Sequence, residues 1–313
     1  MNPVLLTITL NPALDLTGQL AQLQRGAVNV MTQGNLHPAG KGINVARVLK
    51  DLGGQVQVSG LLGADNQGEF QQLFVAEGLE DHFQVVSGAT RINVKLVEAD
   101  GEVTELNFPG IEVDEAAIDR LQQHLLALAA RADLLVVAGS LPRGLSPARG
   151  AELVRALVAV GKPVLFDSSK AALTAGLAAG PFLVKPNEHE LAEWAGRPLA
   201  GREELMAAAE ALQHQHGIHH VVVSRGADGV LWRAGEQWWR AQPPRMTVVS
   251  TVGAGDSMVA GLAWGLAQGW SIEQTLRLAS AVSALAVTQV GVGVKDKAVL
   301  EAMQARIDVE QLA

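Results

Sequence analysis

The stretch Ser250-Thr-Val-Gly253-Ala-Gly255-Asp256-Ser-Met-Val-Ala-Gly261 joins a glycine turn to the start of a helix. Gly253 and Gly255 allow a tight turn in which backbone N–H groups converge on an anion. The helix start adds unpaired N–H groups and a positive dipole end, which keep the carboxylate of Asp256 ionised. Such an Asp can accept the proton of a hydroxyl that attacks phosphorus, although an Asp at a helix start is also a common N-cap. The two glycines before it and the small residues after it favour the functional interpretation.

An alternation of strands and helices leads up to this turn. Continuous apolar segments, typical of strands buried on both faces, are Val4–Leu10, Val56–Leu62, Leu134–Ala138, Val164–Phe166, Phe182–Val184 and Val221–Val223. Helical patterns are Asn44–Leu52, Ala117–Ala130, Ala151–Val160, Glu203–His214 and Ser257–Ala267. The alternation predicts an α/β fold, with a mostly parallel central sheet covered by helices on both faces.

Two segments interrupt this alternation. Thr90–Val97 places Ile92, Val94 and Leu96 on one face of a strand and Arg91, Asn93 and Lys95 on the other. An Asp100-Gly101 turn and Val103–Phe108 follow, and Leu16–Thr32 is also strand-like. We expect a small, half-exposed sheet inserted around residues 12–35 and 89–110 of a single domain, 1–313. Its cationic face predicts a lid over an anionic ligand, and an ordinary amphipathic surface sheet is the alternative.

Composition limits the class of protein. A hydrophobic content of 48% and a charged content of 18% fit a well-packed globular enzyme. The net charge of -8 argues against a nucleic-acid surface, so any phosphate pocket must be built from local cations and backbone amides. The absence of Cys excludes disulfides, thiolate nucleophiles and Cys-bound zinc. Since there is no signal-like segment and no apolar run of about 18 residues, we expect a cytoplasmic protein that binds neither membrane nor nucleic acid.

A second glycine motif, Pro38-Ala-Gly40-Lys41-Gly42-Ile-Asn44-Val-Ala-Arg47, opens the first predicted helix. It is not a Walker A loop, because no Ser or Thr follows the lysine and the upstream glycine spacing differs. It offers close backbone approach, a cation and a side-chain amide together. That set suits the hydroxyls and phosphate of a sugar phosphate, and a loop with a surface lysine is the alternative.

Two further motifs follow predicted strands. In Val184-Lys185-Pro186-Asn187-Glu-His-Glu190, the spacing of Asn187 and Glu190 lets both face one point near a helix N-terminus. They could organise the water shell of Mg²⁺, or simply form an N-cap and capping box. Ser224-Arg-Gly226-Ala-Asp-Gly229 is a glycine-rich loop at a strand end, where nucleotides bind in α/β sheets, but a hairpin turn looks similar.

Taken together, these motifs resemble the ribokinase-like sugar kinases of the phosphofructokinase B type. Gly40-Lys41-Gly42-Ile-Asn44 resembles the N-terminal signature of that family, and Thr251-Val-Gly253-Ala-Gly255-Asp256 resembles its C-terminal signature. Stretches that resemble the members acting on fructose 1-phosphate are Thr9–Asp15, Thr90–Leu96, Gly139–Pro142 and Lys185-Pro-Asn-Glu188. The resemblance runs from about Val4 to beyond Gly293. One departure is Ser250, which stands where many members have Asp.

The resemblance implies a three-layer α/β/α fold with a small β-sheet lid that often forms a homodimer. It implies ATP and Mg²⁺, with phosphorylation of fructose 1-phosphate to fructose 1,6-bisphosphate. The catalytic set would be Asp256 as base, with Gly253, Ala254 and Gly255 as an anion hole. The sugar set would be Asp15, Gly40, Asn44 and Ser140, with Lys41 and Arg91 at the substrate phosphate. The nucleotide set would be Lys185, Asn187, Ser224, Gly226, Gly229 and Thr251, with Asn187 and Glu190 holding Mg²⁺ through water.

The same motifs also fit other functions. The same cations would serve a phosphate at either end of the sugar, so tagatose 6-phosphate and fructose 6-phosphate are alternative substrates. A catalytically silent regulator that binds a sugar phosphate is an alternative from another class. The intact Asp256 argues against it, because a pure binding protein needs no base.

Overall fold

This computed structural model describes residues 2–312. They form two β-sheets, the helices around these sheets and the connecting loops. The strands are β1 (Val4–Thr9), β2 (Ala13–Leu20), β3 (Gln33–Ala39), β4 (Gln55–Gly63), β5 (Glu80–Val86), β6 (Arg91–Glu98), β7 (Val103–Asn107), β8 (Leu134–Ala138), β9 (Val164–Asp167), β10 (Leu183–Val184), β11 (His220–Ser224), β12 (Val230–Ala234), β13 (Gln237–Gln242) and β14 (Asp308–Leu312). The helices are α1 (Lys41–Asp51), α2 (Gly68–Glu77), α3 (Glu115–Ala129), α4 (Pro147–Val158), α5 (Lys170–Leu177), α6 (Glu188–Ala195), α7 (Gly201–His216), α8 (Ala254–Ala267), α9 (Ile272–Ala286) and α10 (Lys297–Gln304).

The larger sheet has ten strands in the order β14-β13-β12-β11-β10-β9-β8-β1-β4-β5. All strands from β11 to β5 in this order are parallel, and β12, β13 and β14 extend one edge in antiparallel fashion. The continuous apolar segments of the sequence all lie in the parallel part. The predicted α/β fold with a mostly parallel sheet is therefore confirmed.

Helices cover both faces of this sheet, because successive side chains of each strand point to opposite sides. In β8, Leu134 and Val136 join the apolar cluster beneath α1, α8 and α9. Leu135 and Val137 join the cluster beneath α3, α4 and α7. The sheet is thus the middle layer of three, and each apolar cluster fills one of the two interfaces.

The smaller sheet, which we call the lid sheet, has the strand order β3-β2-β6-β7. Strand β2 is parallel to β6, and the outer pairs are antiparallel. The expectation of strand-like structure from Leu16 to Thr32 is wrong beyond Leu20, because residues 21–32 form turns and loops. The Asn29 side chain bonds to the backbone of Gln24 and Ala27, and such local bonds compete with sheet pairing.

The parallel strands bring the chemically active segments to one edge. Strands β1, β9, β10 and β11 all end there, and each is followed by a loop or helix that carries polar residues. Ligands bind at this edge in open α/β sheets because the strand ends leave a crevice. Within residues 2–312, no helix has both the length and the apolar character to cross a membrane.

Candidate active site

A pocket of about 470 Å³ lies between the strand ends of the large sheet and the polar face of the lid sheet. This volume is in the range of small-molecule sites. The residues predicted from sequence that line it are Asp15, Gly40, Lys41, Asn44, Arg91, Lys185, Asn187, Glu190, Ser224, Gly253, Gly255 and Asp256. The lining residues run from Ala13 to Asp256, so segments that lie far apart in the sequence meet at one pocket.

Asp256 lies in the first turn of α8, directly after the glycine turn. Gly253 is the N-cap residue and has φ 81°, a left-handed conformation that favours glycine. Asp256 does not cap the helix: its Oδ2 accepts a 2.8 Å hydrogen bond from Nδ2 of Asn44 in α1. The alternative interpretation of Asp256 as an N-cap is wrong, and the carboxylate faces the pocket.

The environment of Asp256 tunes its proton affinity. Burial raises the pKa of Asp256 to about 6, and nearby Asp167 adds to the rise while Lys41, Asn44 and Lys185 oppose it. The expectation that the helix end keeps this carboxylate ionised is corrected, because burial outweighs the favourable contacts. At neutral pH the group is still mostly ionised, and a pKa close to the working pH suits a general base.

Asp167 is a buried carboxylate at the end of β9 that the sequence interpretation missed. Its Oδ2 accepts a 3.1 Å hydrogen bond from Nζ of Lys41, and its Oδ1 lies 3.5 Å from Nζ of Lys185. Burial by itself would raise the pKa of Asp167, but Lys185 and Lys41 outweigh it and hold the pKa below its ordinary value. The available signal was an Asp that ends a buried strand at the ligand-binding edge of the sheet.

The four charged residues Lys41, Asp167, Lys185 and Asp256 form what we call the floor cluster. Burial opposes the charge of Lys41, yet Asp167 and Asp256 together raise the pKa of Lys41 above its ordinary value. A Cβ at Gly255 would lie 3.5 Å from Nζ of Lys185, so the glycine turn and this ammonium face each other closely. Two fixed cations and backbone N–H groups thus surround the base.

A second polar group lies on the lid sheet. Both oxygens of Asp15 are held, Oδ1 by Nδ2 of Asn93 at 3.1 Å and Oδ2 by Nζ of Lys95 at 2.9 Å. The predicted polar face of β6 does line the pocket, and Glu105 and Asn107 of β7 extend it. Sequence reasoning placed Asn93 and Lys95 on this face but did not assign them to the site.

Arg91 lies where the lid sheet joins the body of the protein. Its guanidinium donates hydrogen bonds to the backbone oxygens of Asn11, Pro12 and Phe108 at 3.1–3.3 Å. Burial lowers the pKa of Arg91, although Asp15 opposes the shift. Arg91 forms no ion pair with a carboxylate of the described residues. Lys41, the other residue predicted at the substrate phosphate, also lines the pocket and donates a hydrogen bond to Asp167 in the floor cluster.

The start of α6 has the geometry of a capping box. Oδ1 of Asn187 accepts from the Glu190 N–H at 2.8 Å, and Oε2 of Glu190 accepts from the Asn187 N–H at 2.9 Å. Both residues also line the pocket, and Glu190 retains a second oxygen. Residues 2–312 contain no group of three or more His, Cys, Asp or Glu that would hold a metal by itself. These residues fit Mg²⁺ only as an ion that keeps waters and ligand oxygens.

Five of the predicted residues do not line the pocket: Ala254, Ser140, Gly226, Gly229 and Thr251. Oγ of Ser140 accepts a 3.0 Å hydrogen bond from Asn11. Gly229 packs so closely against β13 that a Cβ would lie 2.1 Å from the backbone oxygen of Ala241. Gly226 is exposed in a short 3-10 turn, and Thr251 is exposed beside Val252, which does line the pocket.

Comparisons with known proteins place this geometry among sugar kinases. A family model described as "pfkB family carbohydrate kinase" matches residues 8–298. The 1-phosphofructokinase of Vibrio cholerae is 53% identical over 313 residues, which cover 100% of this chain and 98% of that protein. The 1-phosphofructokinase of Escherichia coli is 53% identical over 304 residues, or 97% of each chain. The crystal structure of phosphofructokinase-2 from Escherichia coli in complex with substrates and products has a TM-score of 0.88 and 31% identity, covering 96% of this chain and 98% of that one.

Proposed function

The chain belongs to the pfkB family of carbohydrate kinases, and we propose that it transfers the terminal phosphoryl group of ATP to fructose 1-phosphate. The products are fructose 1,6-bisphosphate and ADP. The choice of fructose 1-phosphate as the substrate is supported by the two relatives at 53% identity, which are both 1-phosphofructokinases. Family membership makes the chain a phosphotransferase that uses ATP.

One observation carries the chemical part of the proposal. A buried carboxylate with a pKa of about 6, Asp256, shares its pocket with the ammonium groups of Lys41 and Lys185 and with the Gly253 turn. Phosphoryl transfer requires mainly positioning and charge stabilisation, together with a group that takes the acceptor proton. In the floor cluster, Lys41 and Lys185 supply positioning and positive charge, and Asp256 supplies the group that takes the proton.

The proposed reaction proceeds at Asp256. Its carboxylate accepts the proton of the free terminal hydroxyl of the sugar as that oxygen forms a bond to the γ-phosphorus of ATP. The bond from this phosphorus to the β,γ-bridging oxygen breaks, and ADP leaves with the electron pair. The N–H groups around Gly253, Ala254 and Gly255 would stabilise the negative charge of the transferring group. The hydrogen bond from Asn44 would orient the base.

The positions of the cations suggest a division of labour between them. Lys41 is bonded to Asp167 next to the base, so we assign it to the transferring phosphoryl group rather than to the phosphate that the sugar already carries. Arg91 and Lys95 lie on the opposite, lid-sheet side of the pocket. Arg91 has no carboxylate partner among residues 2–312, and we assign it to the sugar phosphate.

Sugar hydroxyls would bind between the lid sheet and α1. Asp15 is held on both oxygens by Asn93 and Lys95, which fixes its orientation for accepting hydroxyl protons. Oδ1 of Asn93 is buried without a partner among residues 2–312 and can accept from another hydroxyl. The backbone at Gly40 and the amide of Asn44 face the same space, as do Glu105 and Asn107.

Nucleotide phosphates would lie between the floor cluster and the start of α6. Lys185 and Ser224 line this part of the pocket, while Gly226 and Gly229 shape the adjoining loop and Thr251 precedes the pocket wall. Asn187 and Glu190 would hold Mg²⁺ through water. When bound, Mg²⁺ would neutralise charge on the phosphates of ATP.

We also propose a homodimer that forms through the lid sheet. On its outer face, Leu36, Ile92, Leu106 and Phe108 are exposed by 40, 38, 52 and 57%. An apolar sheet face is stable when it packs against another layer, and a second lid sheet is a matching layer of the same strand composition. The occupant that we propose for this face is therefore a second copy of the chain.

A coupled ADP-release assay tests the proposed activity. With ATP and Mg²⁺, we expect kcat/KM for fructose 1-phosphate to exceed that for fructose 6-phosphate and tagatose 6-phosphate at least about tenfold, which corresponds to a difference of 1.4 kcal/mol in transition-state binding. A preference for a 6-phosphate would overturn the substrate. No ADP with any of the three would support the silent sugar-phosphate-binding regulator.

A further inference from the structure

An ion pair behind the pocket joins two elements that both contribute to the proposed nucleotide site. Nε of Arg225, in the loop after β11, donates a 2.8 Å hydrogen bond to Oε1 of Glu188, the first residue of α6. The Arg225 side chain is only 16% exposed and that of Glu188 is 37% exposed. Neither residue lines the pocket. The pair is therefore a connection between the two elements and not a part of the pocket surface.

The residues on each side of this pair do line the pocket. In the sequence, Glu188 follows the pocket residues Lys185 and Asn187 and precedes the pocket residue Glu190. Arg225 directly follows the pocket residue Ser224. A backbone hydrogen bond of 3.1 Å from the Ser224 N–H to the oxygen of Pro186 runs alongside the pair. These two contacts fix the distance between the start of α6 and the loop.

Arg225 also organises its own loop. Its N–H donates a 2.9 Å hydrogen bond to the oxygen of Gly229, and its oxygen accepts from the Asp228 N–H at 3.0 Å, which closes the turn at Gly226–Asp228. Since the side chain of the same residue is bonded to α6, the turn and the helix are linked through Arg225. A shift of the loop would have to break the ion pair.

We propose that Glu188 and Arg225 are positioning residues for ATP with Mg²⁺, because they hold the Ser224 loop in register with the first turn of α6. The two residues act through Ser224, Asn187 and Glu190 and contact no ligand themselves. This inference rests on the proposed function, since it takes the pocket between these elements as the nucleotide site. A nucleoside triphosphate spans both elements, whereas the sugar phosphate contacts the lid sheet and α1.

Calorimetric binding of ATP with Mg²⁺ to the full chain tests the proposal. The variants are Glu188→Gln, Arg225→Gln and the double variant, and fructose 1-phosphate binding and the melting temperature are measured in parallel. Arg240→Gln is the matched control, because Nε of Arg240 makes a similar 2.9 Å contact with Glu310 between β13 and β14, away from the pocket. Wild-type protein that binds no ATP would overturn the proposed function itself and not the role of the pair alone.

We expect each single variant to raise the Kd for ATP about threefold to tenfold, the range expected for one charge-assisted contact that acts indirectly. The double variant should bind no more weakly than the weaker single variant, because both substitutions remove the same interaction. Binding of fructose 1-phosphate should not change. If Glu188→Gln leaves ATP affinity unchanged or tightens it, the proposal is overturned, since Arg225 would then act on ATP directly or not at all. A fall in melting temperature without a change in Kd, as expected for the Arg240 control, would also overturn it.

Discussion

Nδ2 of Asn44 donates a 2.8 Å hydrogen bond to Oδ2 of Asp256, and the two residues are 212 positions apart in the sequence. The bond joins the first turn of α1 to the first turn of α8. Both helices have glycine as the N-cap residue, Gly40 for α1 and Gly253 for α8, so two glycine-capped helix starts meet at one carboxylate. Oδ1 of Asp256 has no hydrogen-bond partner among residues 2–312 and is free to accept a proton from a substrate.

The first prediction concerns the titration of Asp256. Because burial raises its pKa to about 6 from an ordinary 3.8, we expect its carboxylate ¹³C resonance to titrate with a midpoint near 6. The resonance is assigned by its absence from Asp256→Asn. Turnover should fall as pH drops through this value, because the base becomes protonated. A midpoint near 4 would contradict the electrostatic account of the site.

The second prediction concerns stability. A folded-state pKa above the unfolded value means that the folded protein binds the proton more tightly. This contribution to stability is therefore fully present below pH 3.8 and is lost as the pH rises through about 6. The shift of about two units corresponds to about 3 kcal/mol at pH 8, at about 1.4 kcal/mol per unit.

Asp256→Asn removes this penalty, so we expect it to unfold at higher urea concentration than wild type at pH 8, with a smaller difference at pH 5. Asp65→Asn, at an exposed position, is the control and should change neither curve. An Asp256→Asn variant that is less stable than wild type at pH 8 would mean that the Asn44 and lysine contacts outweigh burial.

The third prediction concerns Arg91→Ala. Loss of a charge-assisted contact of about 1.5–3 kcal/mol should raise the KM for the sugar phosphate about tenfold to a hundredfold. The KM for ATP should change little, since Arg91 lies at the lid sheet. Arg143→Ala is the control, because Arg143 bonds to the backbone oxygen of Gly110 near the same junction without lining the pocket. Equal losses for both substrates would refute the assignment of Arg91.

The fourth prediction concerns the outer face of the lid sheet. Leu106→Asp places a charge in the proposed dimer interface, and we expect light scattering to report a monomer where wild type is a dimer. Val103→Asp is matched to it, because Val103 is 54% exposed on the same strand but faces the other way. A monomeric wild type, or equal effects of both variants, would contradict the proposed interface.

Features with a strong local period were predictable from the sequence. The buried strands read as continuous apolar segments because both faces are covered, and β6 alternated because only one face meets the pocket. The glycine turns marked the starts of α1 and α8 because few other residues adopt such backbones. Most pocket residues belong to these short motifs.

Features that depend on long-range packing were not predictable. The role of Asp167 follows from its contacts with Lys41 and Lys185, and no local pattern brings these three together. The raised pKa of Asp256 depends on its burial in the folded chain and on Asp167, whereas the sequence showed only a helix start. Gly229 belongs to a glycine-rich loop, but its packing against Ala241 became visible only with β13 in place.

The most direct test of the central claim compares wild type with Asp256→Asn in ADP release with fructose 1-phosphate, ATP and Mg²⁺, while calorimetry follows sugar-phosphate binding to both. We expect kcat to fall by about 10²–10⁴-fold, the usual contribution of a general base, with sugar-phosphate affinity nearly unchanged. A variant that keeps most of its turnover would contradict the assignment of Asp256 as the base. A wild-type enzyme without turnover of fructose 1-phosphate would contradict the proposed activity.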